Sequence, residues 1–112
     1  MDKILVTGCS GFIGMHLCRK LLGNGYNVYG IDNMNDYYNV SLKEARLSVL
    51  SDYDNFTFNK IDISTLKDVK RVFNNFKPEI VVNLAAQAGV RYSLENPHAY
   101  IESNVVGFTN II

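Results

Sequence analysis

The stretch from Ile4 to Gly14, Ile-Leu-Val-Thr-Gly-Cys-Ser-Gly-Phe-Ile-Gly, constrains the fold more than any other. The apolar run Ile4 to Val6 reads as a buried strand that stops at Thr7-Gly8. Glycines at 8, 11 and 14 follow, and an apolar helix then begins. Strand, glycine-rich turn and helix together form an arrangement that receives a pyrophosphate. Gly8 permits the tight turn, Gly11 lets backbone approach phosphates with no Cβ in the way, and Gly14 lets the helix pack close to the strand. Free N–H groups at the helix start, with the positive end of its dipole, face the anion. The spacing is G-x-x-G-x-x-G, not the G-x-G-x-x-G of the standard dinucleotide fingerprint, so its place between strand and helix carries the weight.

Asn27 to Ile31 is a second strand-like run, and it ends in Asp32, 18 residues past Gly14. An acidic residue at that distance meets the adenosine ribose, accepting hydrogen bonds from its hydroxyls. It also repels a 2′-phosphate: two unit charges ~4 Å apart cost about 4 kcal/mol at an effective dielectric of ~20, roughly three decades of affinity. The expected cofactor is therefore NAD rather than NADP. The bland alternative is that Asp32 only caps a turn.

At 112 residues the chain forms one domain at most. With 47% apolar residues it can bury a sizeable core. Formal net charge is zero and the basic residues are scattered, which argues against a nucleic-acid partner. No apolar run approaches the ~20 residues that span a bilayer. A strand entered by Lys3 leaves no room for a signal peptide, so the expected compartment is the cytoplasm. Cys9 and Cys18 lack metal-ligand spacing, and that compartment disfavours a disulfide. Cys9 lies near a helix N-terminus, which can lower a thiol pKa. Packing of a small residue is the plainer reading of it.

Helix one is predicted from about Gly11 to Leu22, apolar at Phe12, Ile13, Met15, Leu17, Cys18, Leu21 and Leu22, and ended by Gly23-Asn24-Gly25. A polar loop, Asn33 to Val40, leads to a second helix, Leu42 to Leu50, with Ser41 as cap and Glu44 at the capping-box position. Phe56 to Lys60 is the third strand. Ser64 or Thr65 starts a third helix with the stripe Leu66, Val69, Phe73 and Phe76, stopped by Lys77-Pro78. Ile80 to Leu84 reads as a strand covered on both faces. A loop to Glu95, the cap pair Asn96-Pro97 and an apolar face at Ile101, Val105, Phe108 and Ile112 predict a fourth helix. The pattern β-α-β-α-β-α-β-α, with right-handed crossovers, gives an α/β fold. It is the N-terminal half of a Rossmann doubly wound domain, with a parallel sheet of four strands in the order 3-2-1-4. The chain ends inside an amphipathic helix, so a C-terminal substrate domain is expected to be absent.

Val6-Thr7-Gly8 through Gly14, Asp32-Asn33, Asp62-Ile63 and Leu84-Ala85-Ala86 together resemble the extended short-chain dehydrogenase/reductases, NAD-dependent epimerases and dehydratases. Asn33–Tyr38, Ser41–Leu47 and the run Gln87 to Pro97 are similar to the UDP-glucuronate 4-epimerases of capsular polysaccharide and plant wall synthesis. The resemblance covers the whole chain. It implies that Gly8, Gly11, Phe12, Ile13 and Gly14 hold the pyrophosphate of NAD and that Asp32 and Asn33 bind the adenosine ribose. Asp62 would accept from the adenine amino group beside Ile63. Leu84, Ala85, Ala86 and Gln87 would pass under the nicotinamide ribose, with Ser103 facing the cofactor. Arg91, Tyr92 and Ser93 would border a UDP-sugar, though Arg91 also reads as a solvated loop arginine. Asn83 departs from the family, where histidine is common, and is expected to alter a local hydrogen bond.

The family's proton-transfer motif is Tyr-x-x-x-Lys. None of the seven tyrosines has lysine four residues later, so no catalytic residue is assigned. In the family, NAD takes hydride from C4 of UDP-glucuronate and returns it to the other face of the 4-keto intermediate, giving UDP-galacturonate. Without the tyrosine and lysine this chain is expected to be inactive. Two functions follow: the NAD-binding N-terminal fragment of a nucleotide-sugar epimerase, or a stand-alone nucleotide-binding or assembly module. His16 and His98 join no triad-like cluster, so a third reading with rebuilt catalysis has little support. A fourth strand flanked on one side only predicts a homo-oligomer through its open edge or through the fourth helix.

Overall fold

The structure, a computed structural model, describes residues 2–34, 40–85 and 111. Strand β1 spans Lys3–Thr7 and helix α1 Phe12–Gly23. They are followed by β2 (Asn27–Asp32), α2 (Val40–Ser51), β3 (Phe56–Lys60), α3 (Leu66–Phe76) and β4 (Ile80–Asn83). All strand pairings are parallel, and the order is β3-β2-β1-β4, as the alternation of strands and helices requires. Every strand therefore ends at the same edge of the sheet. Thr7, Asp32, Lys60 and Asn83 are the terminal residues there. That edge is where open α/β sheets hold ligands.

Two apolar layers clamp the sheet. On one face Ile4, Val6 and Val28 pack with Cys9, Cys18 and Leu22 of the turn and α1 and with Leu50 of α2. On the other, Leu5 and Ile31 pack with Ile61, Ile63, Val69 and Val72. Successive residues of β1 thus serve opposite faces, and both β1 and β2 are covered on each side. Ile111, which is helical, adds to the second layer. The rest of the predicted fourth helix lies outside the described residues.

The helix ends follow local chemistry. Gly25 takes φ +90 just past the end of α1, the left-handed glycine expected there. Lys77 closes α3 at φ 52, an unfavourable setting for a lysine. Pro78 disfavours right-handed helix at the residue before it, which explains the choice. Thr65 is the N-cap of α3, without a side-chain bond.

Three expectations are corrected. Ser41 is not the cap of α2, because the helix already includes Val40; Ser41 and Glu44 lie within it, and the carbonyl of Glu44 accepts from the Ser48 hydroxyl. In α3, Leu66 is exposed and Val72 takes a place in the buried stripe. Val72 lies three residues past Val69 and so shares its face, whereas Leu66 sits at the solvated first turn. In β4, Ile80 and Val81 are 49% and 37% exposed instead of covered. Among the described strands β4 pairs with β1 alone.

Candidate functional site

The site begins with Gly8. Its N–H donates to the Ile31 carbonyl at 2.8 Å, which carries the chain across the end of β2, and its φ of +70 turns the backbone. A Cβ at Gly8 would lie 2.8 Å from the Leu84 carbonyl carbon, so β4's end also presses on this position. The Gly8 carbonyl accepts from Gly11 at 3.1 Å. A Cβ at Gly14 would stand 2.1 Å from that same carbonyl oxygen. Helix α1 therefore starts in direct contact with the turn, an approach that only glycine allows.

Gly11 is the N-cap of α1 and supplies no side-chain bond. The first helical bond runs from the Met15 N–H to the Gly11 carbonyl at 2.9 Å. The N–H groups of Phe12, Ile13 and Gly14 precede it and have no acceptor within the helix. They lie at the carboxyl edge, with the positive end of the helix dipole behind them. No acidic side chain stands in the first turn of α1. This donor set, a glycine N-cap and three amides without an acceptor in the helix, fits an anionic group such as a pyrophosphate. Phe12 and Ile13 keep their side chains out of the core, at 66% and 67% exposed. The Phe12 ring meets His16 edge-on at 4.8 Å, and the Arg46 guanidinium lies 5.9 Å from its centroid.

Asp32 closes the turn from the β2 side. It is 6% exposed. One carboxylate oxygen, Oδ2, accepts from the Ser10 N–H at 3.3 Å; the other, Oδ1, accepts from the Met34 N–H at 2.7 Å and from Lys43 Nζ at 3.4 Å. Arg46, one turn along α2, donates from Nη1 to the Ser10 carbonyl at 3.2 Å. The glycine turn is thus held by both cations of α2. Neither was identified from sequence. Their i, i+3 spacing on one helical face was the available signal.

The remaining predicted positions divide into two groups. Asn33 follows Asp32 and is half-buried. Asp62, exposed beyond β3, accepts at Oδ1 from the Ser64 N–H at 2.9 Å and the Ser64 hydroxyl at 2.8 Å, while Ile63 is buried. On the other side of β1, the Thr7 hydroxyl donates to Asn83 Oδ1 and accepts from the Ala85 N–H at 3.0 Å. The Leu84 N–H reaches the Thr7 carbonyl at 3.2 Å. Asn83, the departure from the family pattern, therefore has a local partner in Thr7. Leu84 is exposed and Ala85 half-buried. Ala86, Gln87, Arg91, Tyr92, Ser93 and Ser103 lie outside the described residues.

Cys9 belongs to packing. Burial drives its thiol pKa far above the ordinary value, opposite to the helix-terminus effect, and Cys18 is pushed up to about 12 by the same cause. A Cβ on Gly30 would fall 2.7 Å from Cys9 Sγ, so Gly30 makes room for the thiol. Among the described residues no cluster of His, Cys, Asp and Glu could hold a metal ion, and no helix is long and apolar enough to cross a membrane.

Comparison with known proteins agrees with this geometry. Protein CapI of Staphylococcus aureus is 58% identical over 110 residues, covering 98% of this chain and 33% of that protein. The UDP-glucuronate 4-epimerase of Thermodesulfobacterium geofontis is 46% identical over 112 residues, covering 100% and 35%. A crystal structure of the Bacillus cereus UDP-glucuronic acid 4-epimerase with UDP-glucuronic acid and NAD superposes with a TM-score of 0.88 at 35% identity, over 97% of this chain and 34% of that one. The chain spans about a third of the length of these relatives, and the fold they share with it is the Rossmann sheet described above. The profile of the GDP-mannose 4,6 dehydratase family matches residues 5–112, and the chain belongs to that family of nucleotide-sugar epimerases and dehydratases, of which it corresponds to the N-terminal third.

Proposed function

We propose that these 112 residues are the NAD-binding part of a UDP-glucuronate 4-epimerase. The observation that carries this reading is the glycine turn, with three helix N–H groups that have no acceptor in the helix, at the carboxyl edge beside a buried strand-end carboxylate. In support, neighbours of the same fold are crystallised with NAD. On this reading Gly8, Gly11, Phe12, Ile13 and Gly14 hold the pyrophosphate, and Asp32 with Asn33 holds the adenosine ribose. Asp62 keeps its second carboxylate oxygen for the adenine amino group, next to Ile63. Leu84 and Ala85, followed by Ala86, Gln87 and Ser103, border the nicotinamide half, and Arg91, Tyr92 and Ser93 border the sugar.

When bound, NAD supplies a hydride acceptor and donor for the sugar C4. The residues present bind and orient it; no Tyr-x-x-x-Lys accompanies them to move the sugar's proton. The chain as it stands therefore binds without turnover, in the cytoplasm. The second reading is a nucleotide-binding or assembly module without chemistry. Self-association through β4 belongs to either reading, since Ile80, Val81 and Leu84 are exposed there. A clean monomer in sedimentation at micromolar concentration would rule it out.

Calorimetric titration with NAD tests the proposal. Gly11→Val is the control, because Gly11 has φ −71 and its Cβ would meet only the Gly8 carbonyl at 3.3 Å. Saturable binding, weakened at least tenfold in a Gly11→Val chain of unchanged circular dichroism, supports the reading. A folded wild-type chain that takes up no NAD contradicts it.

A further inference from the structure

Where β4 ends, two successive backbone N–H groups converge on one residue of β1. Thr7 stands opposite Asn83 in the parallel pair, and the Leu84 N–H reaches the Thr7 carbonyl at 3.2 Å. The next N–H, that of Ala85, donates to the Thr7 hydroxyl at 3.0 Å. The chain therefore bends at Leu84 instead of running on as a strand. The bend lies against the glycine turn, since a Cβ on Gly8 would stand 2.9 Å from the Ala85 nitrogen. Thr7 is fully buried. Its hydroxyl has one proton to give and two lone pairs to accept with. Ala85 takes a lone pair, and the proton goes to Asn83 Oδ1. The acceptor at position 83 thus fixes which way the hydroxyl points. Without that acceptor, a buried hydroxyl proton turns to another partner, and the lone pair turns away from Ala85.

We propose that Asn83 is a positioning residue: through the Thr7 hydroxyl it holds the Leu84–Ala85 bend where that bend meets the nicotinamide end of a bound dinucleotide. The inference rests on the dinucleotide reading, which assigns Leu84 and Ala85 to the nicotinamide half. Asn83 itself touches no cofactor in this account. Its oxygen orients the hydroxyl, the hydroxyl holds the Ala85 amide, and the amide sets the backbone. Losing one such link costs about fivefold in any affinity that depends on it. The groups assigned to the adenosine and pyrophosphate, from Gly8 to Gly14 and at Asp32, make no bond to Asn83 among the described residues, so the cost falls on the nicotinamide half alone.

The test is calorimetric titration of NAD and of ADP-ribose against the wild-type chain, Asn83→Leu and Asn83→His, together with amide hydrogen exchange at Ala85. The wild type is expected to protect the Ala85 N–H and to bind NAD more tightly than ADP-ribose. Asn83→Leu keeps the size and removes the acceptor. It is expected to weaken NAD by about fivefold, to leave ADP-ribose unchanged, and to speed exchange at Ala85 by a similar factor. At about pH 8 the imidazole of Asn83→His is neutral and offers one ring nitrogen as an acceptor, so both the ratio and the protection are expected to return. A residue that merely steadies the fold would lower both affinities alike. Equal losses, an unmoved ratio, or a loss that persists in Asn83→His overturns the proposal. If Asn83→Leu does not fold, an unprotected Ala85 N–H in the folded wild type overturns it instead. A folded wild type that binds neither ligand sinks the cofactor reading itself, whereas NAD binding with an unmoved ratio sinks this proposal alone.

Discussion

The two sides of β1 are built differently. Toward β2, the turn is sealed: Gly8 bonds Ile31, Ser10 bonds Asp32 and Arg46, and Lys43 is buried on the carboxylate. Toward β4, among the described residues, the same strand end is tied by the Thr7 hydroxyl to Asn83 and Ala85 and by the Thr7 carbonyl to the Leu84 N–H, and the strand leaves Ile80 and Val81 exposed. On the proposed reading, the closed side carries the groups assigned to the adenosine and pyrophosphate, and the other side those assigned to the nicotinamide and sugar. On the proposed reading, a half that grips the constant part of a dinucleotide lies next to a half that, among the described residues, has fewer side-chain ties, a contrast that a single glycine motif does not reveal.

The largest way to break this contrast is Gly14→Val. Its Cβ would overlap the Gly8 carbonyl, backbone that cannot step aside, so a loss of about 3 kcal/mol or more is expected in chemical denaturation. A smaller loss would mean that the turn is softer than the contacts imply. Next is pH. The core beneath the turn holds two protonated thiols, with Cys18 at about 12 against an ordinary 9.0. The native state keeps protons that the unfolded chain releases above pH 9, so stability falls as pH rises from there. The expected loss is about 1 kcal/mol per thiol between pH 9 and 10. A flat profile over that interval contradicts the burial of the thiols.

Thr7→Val probes the looser side. It removes both bonds to Asn83 and Ala85 while keeping the shape, at a cost of about 1 kcal/mol. NAD affinity is expected to fall more than ADP-ribose affinity, because the proposed reading assigns Ala85 to the nicotinamide half. Equal losses for both ligands would erase the distinction between the two sides. The smallest effect belongs to Asp68→Ala. Its ion pair with Arg71 is 3.3 Å long but exposed, so the change stays within about 0.5 kcal/mol, unlike any break in the Lys43–Asp32 pair.

Much of the frame was readable beforehand. β3 was placed at Phe56 to Lys60, and the sheet order followed from handed crossovers and the alternation of periods. Glycine spacing located the turn, since a backbone that must approach something closely tolerates few residues. What escaped depended on reach and on contact between distant segments. Lys43 and Arg46 look like ordinary solvated charges on α2; only the fold shows their side chains lying over the turn. Gly30 looks like a weak point in β2 until Cys9 is seen filling its space. Ser41 has the chemistry of a cap, yet α2 already runs through Val40 before it. The exposure of Ile80 and Val81 was missed for a different reason, since an apolar run does not say how many neighbours its strand has.

Parallel titrations of the chain with NAD and with ADP-ribose test the central claim most directly. If the closed side of β1 is a formed dinucleotide site, ADP-ribose binds at the same single site with an affinity within about tenfold of NAD. No heat from ADP-ribose on a folded chain that binds NAD, or none from either ligand, would contradict the account.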